Sequence, residues 1–318
     1  MASRTAMEDL KKEIERLKEQ LHSVQSSAPD TDPIKTPDTE VSDSSITSMP
    51  QEKPDFSSAF LVSHPLLLLA DSALPLGSFA YSSGLESFLA HTKTQPTHTC
   101  LSTATTDSFY KFLALSISSL ASTTLPYLLK AHRCPSILGE LDNDLDASTP
   151  CTVARRASVA QGLALLSVWE RAYRTSYTTS SSLGEASSAA EAATAALDAF
   201  SNSLKQDPDD AEFGCGANGH LAPLWGVVCV AMGVALEQAA YVFMLNHAKA
   251  VLSAAVRASV MGPYQAQAVL ASKNLQTLIT QKLQDEWETE PGDAGQNVPV
   301  LDLWVGRHEL LYSRIFNS

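Results

Sequence analysis

Apolar positions recur at helical spacing along most of the chain, and polar runs separate them. Near the start, Leu10, Ile14, Leu17, Leu21 and Val24 alternate steps of four and three, with Lys and Glu between them. This is an a/d heptad stripe, but it lasts under three heptads. An isolated helix this short is marginal in water, so it reads as a fraying amphipathic helix, with a weak dimerisation arm as the alternative. Residues 25–55 are rich in Ser, Thr, Pro and Asp, a composition that cannot bury enough surface to fold and predicts a disordered linker. From Phe56 the pattern is helical. Pro65 suits a first helical turn ahead of Leu66–Leu69. Phe109, Phe112, Leu113, Leu115, Ile117 and Leu120 place a helix within 107–129, and Leu163, Leu166, Val168 and Trp169 lie on the apolar side of another over Ala154–Tyr173. Leu221–Leu245 is apolar nearly all round, which predicts a central element. Val251–Val260 reads as a helix stopped by Gly262-Pro263, and Tyr264–Leu283 restarts it.

Two stretches interrupt the pattern and read as surface insertions. Residues 139–150 form an acidic, turn-rich segment, and 175–213 are Ser/Ala-rich and then acidic, with part of 183–204 helical on alanine content. The expected organisation is an arm at 1–55 and one all-α, bundle-like domain at 56–318 with about eight to ten helices. No strand-type alternation is sustained.

Composition narrows the function. The formal net charge of −13 over 318 residues argues against nucleic-acid and anionic-membrane partners, which require clustered Lys and Arg. Five cysteines without C-x-x-C spacing do not make a disulfide framework or zinc ribbon and point to a reducing compartment. The first twenty residues carry no apolar signal core, and Leu221–Leu236 is short for a membrane span. A cytoplasmic protein is expected.

Catalytic motifs are scarce. No P-loop, H-E-x-x-H or G-x-S-x-G occurs. Gly214–Gly219 matches G-x-G-x-x-G, but an acidic loop precedes it where a dinucleotide fold needs a strand. Cys215 and His220 are weak metal candidates, since thiolate and imidazole suit nickel or zinc, yet no third ligand follows at a useful spacing. Glu86 stands alone beside apolar residues. Ser83-Gly84-Leu85-Glu86 has the spacing of a capping box, in which the carboxylate folds back on its own helix; a raised-pKa acid or a docking contact are the alternatives. The C-terminal stretch VPVLDLWVGRHELLYSRIFNS is unusually apolar for a chain end and carries Arg307, His308 and Arg314. It reads equally as an interface anchor or as a segment packed on its own core.

Three stretches together resemble the UreF family of urease accessory proteins. They are LLLLADSALPLGSFAYSSGLESFL (66–89), GHLAPLWGVVCVAMGV with VLSAAVRASVMGPYQAQAVL (219–234, 251–270), and LDLWVGRHELLYSRIFNS (301–318); ARRASVAQGLAL (154–165) also resembles that family's R-x-x-S-x-x-Q-G helix. The resemblance implies an all-α homodimer without enzymatic activity of its own. Its expected partners are the scaffold UreD (UreH), the GTPase UreG and the urease apoprotein, on which the assembly delivers nickel as GTP is hydrolysed. No tightly bound cofactor is implied: nickel is handled by the assembly and GTP by the partner. Carried over by position, Gly77, Phe79, Ser82, Gly84 and Glu86 match the first motif, and Arg307, His308, Tyr312, Ser313 and Arg314 match the terminal one. These are the expected partner-binding residues, with the tail ordering on contact with UreD. Ser78 stands where the family has a second turn glycine. An arginine finger from Arg307 or Arg314, or a metal-dependent enzyme using Cys215, His220 and Glu86, are the competing readings.

Overall fold

A computed structural model describes residues 64–92, 101–179, 185–205 and 216–317. The heptad stripe, the Ser/Pro-rich linker and Cys215 lie outside them. Helix α1 occupies residues 64–70. It is followed by α2 (Leu85–Thr92), α3 (Leu101–Thr123), α4 (Leu125–Arg133), α5 (Leu138–Ser148), α6 (Thr152–Val168), α7 (Arg174–Thr179) and α8 (Glu185–Ser203). The second half contains α9 (Leu221–Ala231), α10 (Leu236–Arg257), α11 (Pro263–Leu270), α12 (Lys273–Asp285) and α13 (Pro299–Arg307). No strand occurs among the described residues, so the fold is all-α, with more and shorter helices than the sequence suggested.

The extra breaks have local causes. Met232 ends α9 because Gly233 adopts φ 71°, and the Val234 and Gly233 amides donate back to Cys229 O (2.8 Å) and Val230 O (3.0 Å). These are the two bonds of a Schellman stop. The expected long element at Leu221–Leu245 is therefore cut early, and its second half continues to Arg257 as α10. The expected helix at 107–129 bends by 41° where α3 gives way to α4, next to Pro126. The single restart over 264–283 is two helices, because Ser272 caps α12 by accepting from Leu275 N (3.2 Å). A π-helical turn at Trp169–Tyr173 carries α6 into α7.

The loop expected at 139–150 needs correction, whereas the helix expected within 183–204 is present. Residues 138–148 are helical, since Leu138, Leu141 and Leu145 form a buried stripe that the acidic composition masked. In α8, Ala193, Leu197 and Phe200 are buried, and the helix packs on α9. The core centres on α9, of which nearly every side chain is buried and which packs against α4, α8, α6, α10 and α5. Helix α10 lies beside it, over α3, α4, α11 and α12. Its 22 residues are long and apolar enough to cross a bilayer, but 56% of its most apolar window is buried within the chain, as in a core helix. His247 on α10 contacts Ser116 Oγ (2.8 Å), and burial pushes its imidazole down to about 4, so it is neutral near pH 7.

Among the described residues, two that are not glycine, Ser83 and Ser259, take a positive φ. Ser259, exposed just after α10, has φ 59° and occupies the left-handed site of a second Schellman stop, with Val260 N to Ala255 O at 2.9 Å and Ser259 N to Val256 O at 3.1 Å. A Cβ disfavours this conformation by about 1 kcal/mol, partly offset by glycine's larger entropy loss on folding. Ser259→Gly is expected to raise stability by about 0.5 kcal/mol. A chemical-denaturation midpoint that falls instead would refute this.

Candidate functional site

The turn before α2 and the C-terminal tail meet. Gly77 takes the left-handed conformation (φ 72°) and opens a 3-10 turn, Ser78–Ala80, in which Ser78 itself needs no positive φ. The missing second glycine therefore leaves the turn intact. Ser83 (φ 52°) and Gly84 (φ 84°) then reverse the chain into α2. A side chain at Gly84 would press on α13, since a Cβ there would lie 3.0 Å from Val305 Cγ2. Phe88, Phe112 and Trp304 stack α2, α3 and α13 together, with ring centroids 4.8–5.9 Å apart.

Glu86 does not cap its own helix. The buried Ser82 supplies that contact, its hydroxyl accepting from Glu86 N at 3.3 Å. The Glu86 carboxylate instead holds the tail. Its Oε2 accepts from His308 Nε2 (2.9 Å) and Phe316 N (3.2 Å), and its Oε1 accepts from Ile315 N (2.7 Å). A carboxylate accepts only, so Nε2 of His308 carries the proton. His308 is 0% exposed and Phe316 4%, while the Glu86 side chain keeps 12%. Around them Asn317 N donates to Ala80 O (2.8 Å), and Arg156 of α6 pairs with Glu309 (2.8 Å). The tail is thus seated on the chain's own helices.

The ten sequence-derived residues divide accordingly. Ser82, Gly84, Glu86 and His308 face inward and build the seat rather than an outer surface, because each is tied up by burial or internal hydrogen bonds. Phe79, Arg307, Tyr312, Ser313 and Arg314 are exposed, and Gly77 sets the turn. Leu303, Leu310 and Ile315, apolar residues of the same C-terminal stretch but not among the ten, are exposed as well. Among the described residues, neither Arg307 nor Arg314 forms an ion pair, and both are exposed on the same segment as Leu310, Tyr312 and Ile315.

The G-x-G-x-x-G loop meets a different fate. Asp142 of α5, fully buried, accepts from Asn218 N (2.6 Å), Gly219 N (3.0 Å) and His220 N (2.6 Å). The amides that a phosphate would need are filled by the protein's own carboxylate. His220 is fully buried as well. Its Nδ1 meets Ser158 Oγ (3.0 Å), which also accepts from Leu221 N, and its Nε2 meets Asp146 (3.1 Å). With both ring nitrogens engaged, His220 is a packing residue here and not an open metal ligand. No group of three or more His, Cys, Asp or Glu placed to hold a metal occurs among the described residues.

The R-x-x-S-x-x-Q-G stretch of α6 explains itself on one helix face. Arg155 donates to Asp146 O (2.9 Å) and Thr149 O (3.1 Å) at the end of α5. Ser158 ties down His220. Gln161 Oε1 accepts from Ser78 Oγ (2.7 Å) in the turn before α2. Gly162 lets the 219–221 backbone approach so closely that a Cβ would lie 2.1 Å from Gly219 O. These helices also wall a cavity of about 490 Å³ lined by hydroxyls such as Ser116, Ser119, Ser158 and Ser253.

Of the stretches that suggested a resemblance, 66–89 and 301–318 meet at the tail seat, and 154–165 meets 219–234 beside the Asp142 loop. Comparison with known proteins agrees. A family profile described as UreF matches residues 103–274. An uncharacterized urease accessory protein UreF-like from Schizosaccharomyces pombe is 35% identical over 255 residues, spanning 80% of this chain and 97% of that protein. Urease accessory protein 6 of Cryptococcus neoformans is 27% identical over 80% of this chain and 96% of its own. Urease accessory protein F of Arabidopsis thaliana is 28% identical over 79% of this chain and 90% of its own. With the profile covering more than half the chain and the fission-yeast relative aligned almost end to end, the chain belongs to the UreF family.

Proposed function

We propose that the chain is a non-catalytic maturation factor for urease. In this reading it joins UreD (UreH) and the GTPase UreG on the urease apoprotein, as a homodimer in the cytoplasm, and governs GTP-dependent nickel insertion. Nickel is cargo of the assembly and GTP is bound by the partner. The relatives are named as urease accessory proteins, which supports a role in urease maturation. The scaffolding role rests on one observation: Phe79 in the turn and Leu310, Tyr312 and Ile315 in the tail are exposed, as are Arg307 and Arg314, which form no ion pair among the described residues, and the tail is fixed from beneath by Glu86 and His308. Exposed aromatics and arginines on a rigid support are what a binding hot spot requires. Two exposed arginines on an acidic protein fit a partner face with apolar pockets rimmed by carboxylates.

The test is co-purification of the Arg307→Ala/Arg314→Ala double variant with UreD and with UreG. Each truncated hot-spot arginine is expected to cost about 1–2 kcal/mol, so partner capture should weaken by roughly tenfold or more. Helicity and thermal midpoint should stay at wild-type values, because both side chains are exposed. Undiminished capture together with full urease activation would overturn the assignment. GTP turnover by UreG, measured with capture restored at high protein concentration, separates an arginine finger from an anchor.

A further inference from the structure

The guanidinium of Arg257, at the C-terminal end of α10, touches two segments far apart in sequence. Its Nη2 donates to Phe79 O in the turn before α2, and its Cζ lies over the Phe316 ring in the tail, 4.5 Å from the centroid. Its Nε donates to Ser253 O (3.3 Å), which fixes the fork to its own helix. Next to it, Asn317 N donates to Ala80 O at 2.8 Å, so turn and tail already touch through backbone.

Arginine has the chemistry for this double contact. Its planar cation stacks on an aromatic face while its edge N–H groups donate to a carbonyl. A lysine ammonium is a compact point charge and does not hold both in one geometry. The residues on either side point outward: Phe79 is 68% exposed and Ile315 64%, whereas Phe316 is buried beneath. We propose that Arg257 is a positioning residue that clamps the tail to the Ser78–Ala80 turn, so that Phe79 and the exposed tail residues act as one composite docking surface. The docking consequence rests on the scaffold reading above. The clamp is a property of the chain alone. The partner suited to the composite surface is the apolar, carboxylate-rimmed protein face already described.

Hydrogen–deuterium exchange on the full chain tests the clamp without any partner. Arg257→Gln should raise exchange in 308–317 at least tenfold and also raise it in 77–84, with α9 and the body of α10 unchanged. Arg257→Lys should behave like Arg257→Gln, since retained charge does not replace the stacked fork. Phe316→Leu, which loosens the tail from the other side, should raise exchange in 77–84 as well. Tail exchange within twofold of wild type in Arg257→Gln overturns the clamp, and so does full rescue by lysine or a tail that loosens while 77–84 does not respond. Capture by immobilised UreD, measured on the same variants, decides the consequence. A loosened tail with undiminished capture overturns the composite docking surface and leaves the clamp standing; reduced capture supports both.

Discussion

Asp142→Ala is expected to lower the stability of the helical domain by about 3–5 kcal/mol, a large fraction of what a domain of this kind possesses. The carboxylate accepts three backbone N–H groups, from Asn218, Gly219 and His220. Gly219 and His220 are buried, so water does not replace the lost acceptor. Each orphaned buried amide costs about 1–3 kcal/mol, and charge-assisted bonds lie at the upper end. The loss spreads through contacts that share the site. His220 also bridges Ser158 and Asp146, and Gly162 packs against the same backbone. Asp142→Asn keeps the shape and one acceptor oxygen but turns an N–H₂ toward donors. It should fall between wild type and alanine, at about 2–3 kcal/mol. Urea denaturation followed by circular dichroism measures both. An alanine variant within about 0.5 kcal/mol of wild type would show that the amides find other partners and that the loop is not held in this way.

Much of the fold is legible because helical periodicity is a local signal. Of the stripe expected in α3, Phe109, Phe112, Leu113 and Ile117 are buried while Leu115 is exposed, and the all-round apolar run at Leu221–Ala231 is the central helix. The misreadings arise where composition and local pattern disagree. In α5, three leucines at helical spacing were hidden among acids, one of which is buried as the acceptor for the amides of a distant loop. The stop at Gly233 depends on a left-handed φ, and a lone glycine in an apolar run does not advertise that choice. The seat of the tail was the least legible part. Glu86 and His308 are 222 residues apart, and no spacing rule connects them. The R-x-x-S-x-x-Q-G stretch offered the one usable hint. Positions three, six and seven apart fall on one helix face, so its polar residues had to meet a common set of partners.

Glu86→Gln is the substitution that separates the two local roles proposed for this carboxylate. A capping box accepts glutamine at this position, so a Glu86 that served its own helix would tolerate the change. In the structure the carboxylate serves three donors on the tail through both oxygens. Glutamine has one acceptor oxygen, so either Ile315 N or the pair formed by His308 Nε2 and Phe316 N faces an N–H₂ group instead. Tail docking is expected to weaken by about 2 kcal/mol in Glu86→Gln and by about 3–4 kcal/mol in Glu86→Ala, which leaves the buried His308 without its acceptor. Trypsin reads the result directly, because Arg307 and Arg314 lie in the docked segment. Cleavage there should accelerate about thirtyfold for the glutamine variant while the helical core resists as before, since the cleaved population follows the undocking equilibrium. Loss of the tail's order should also reduce UreD capture, even though Arg307, Tyr312 and Arg314 are chemically intact. Wild-type cleavage rates in both variants would return Glu86 to the role of a helix cap and leave the tail's position to its other contacts, through Phe316, Arg257, Asn317 and Glu309.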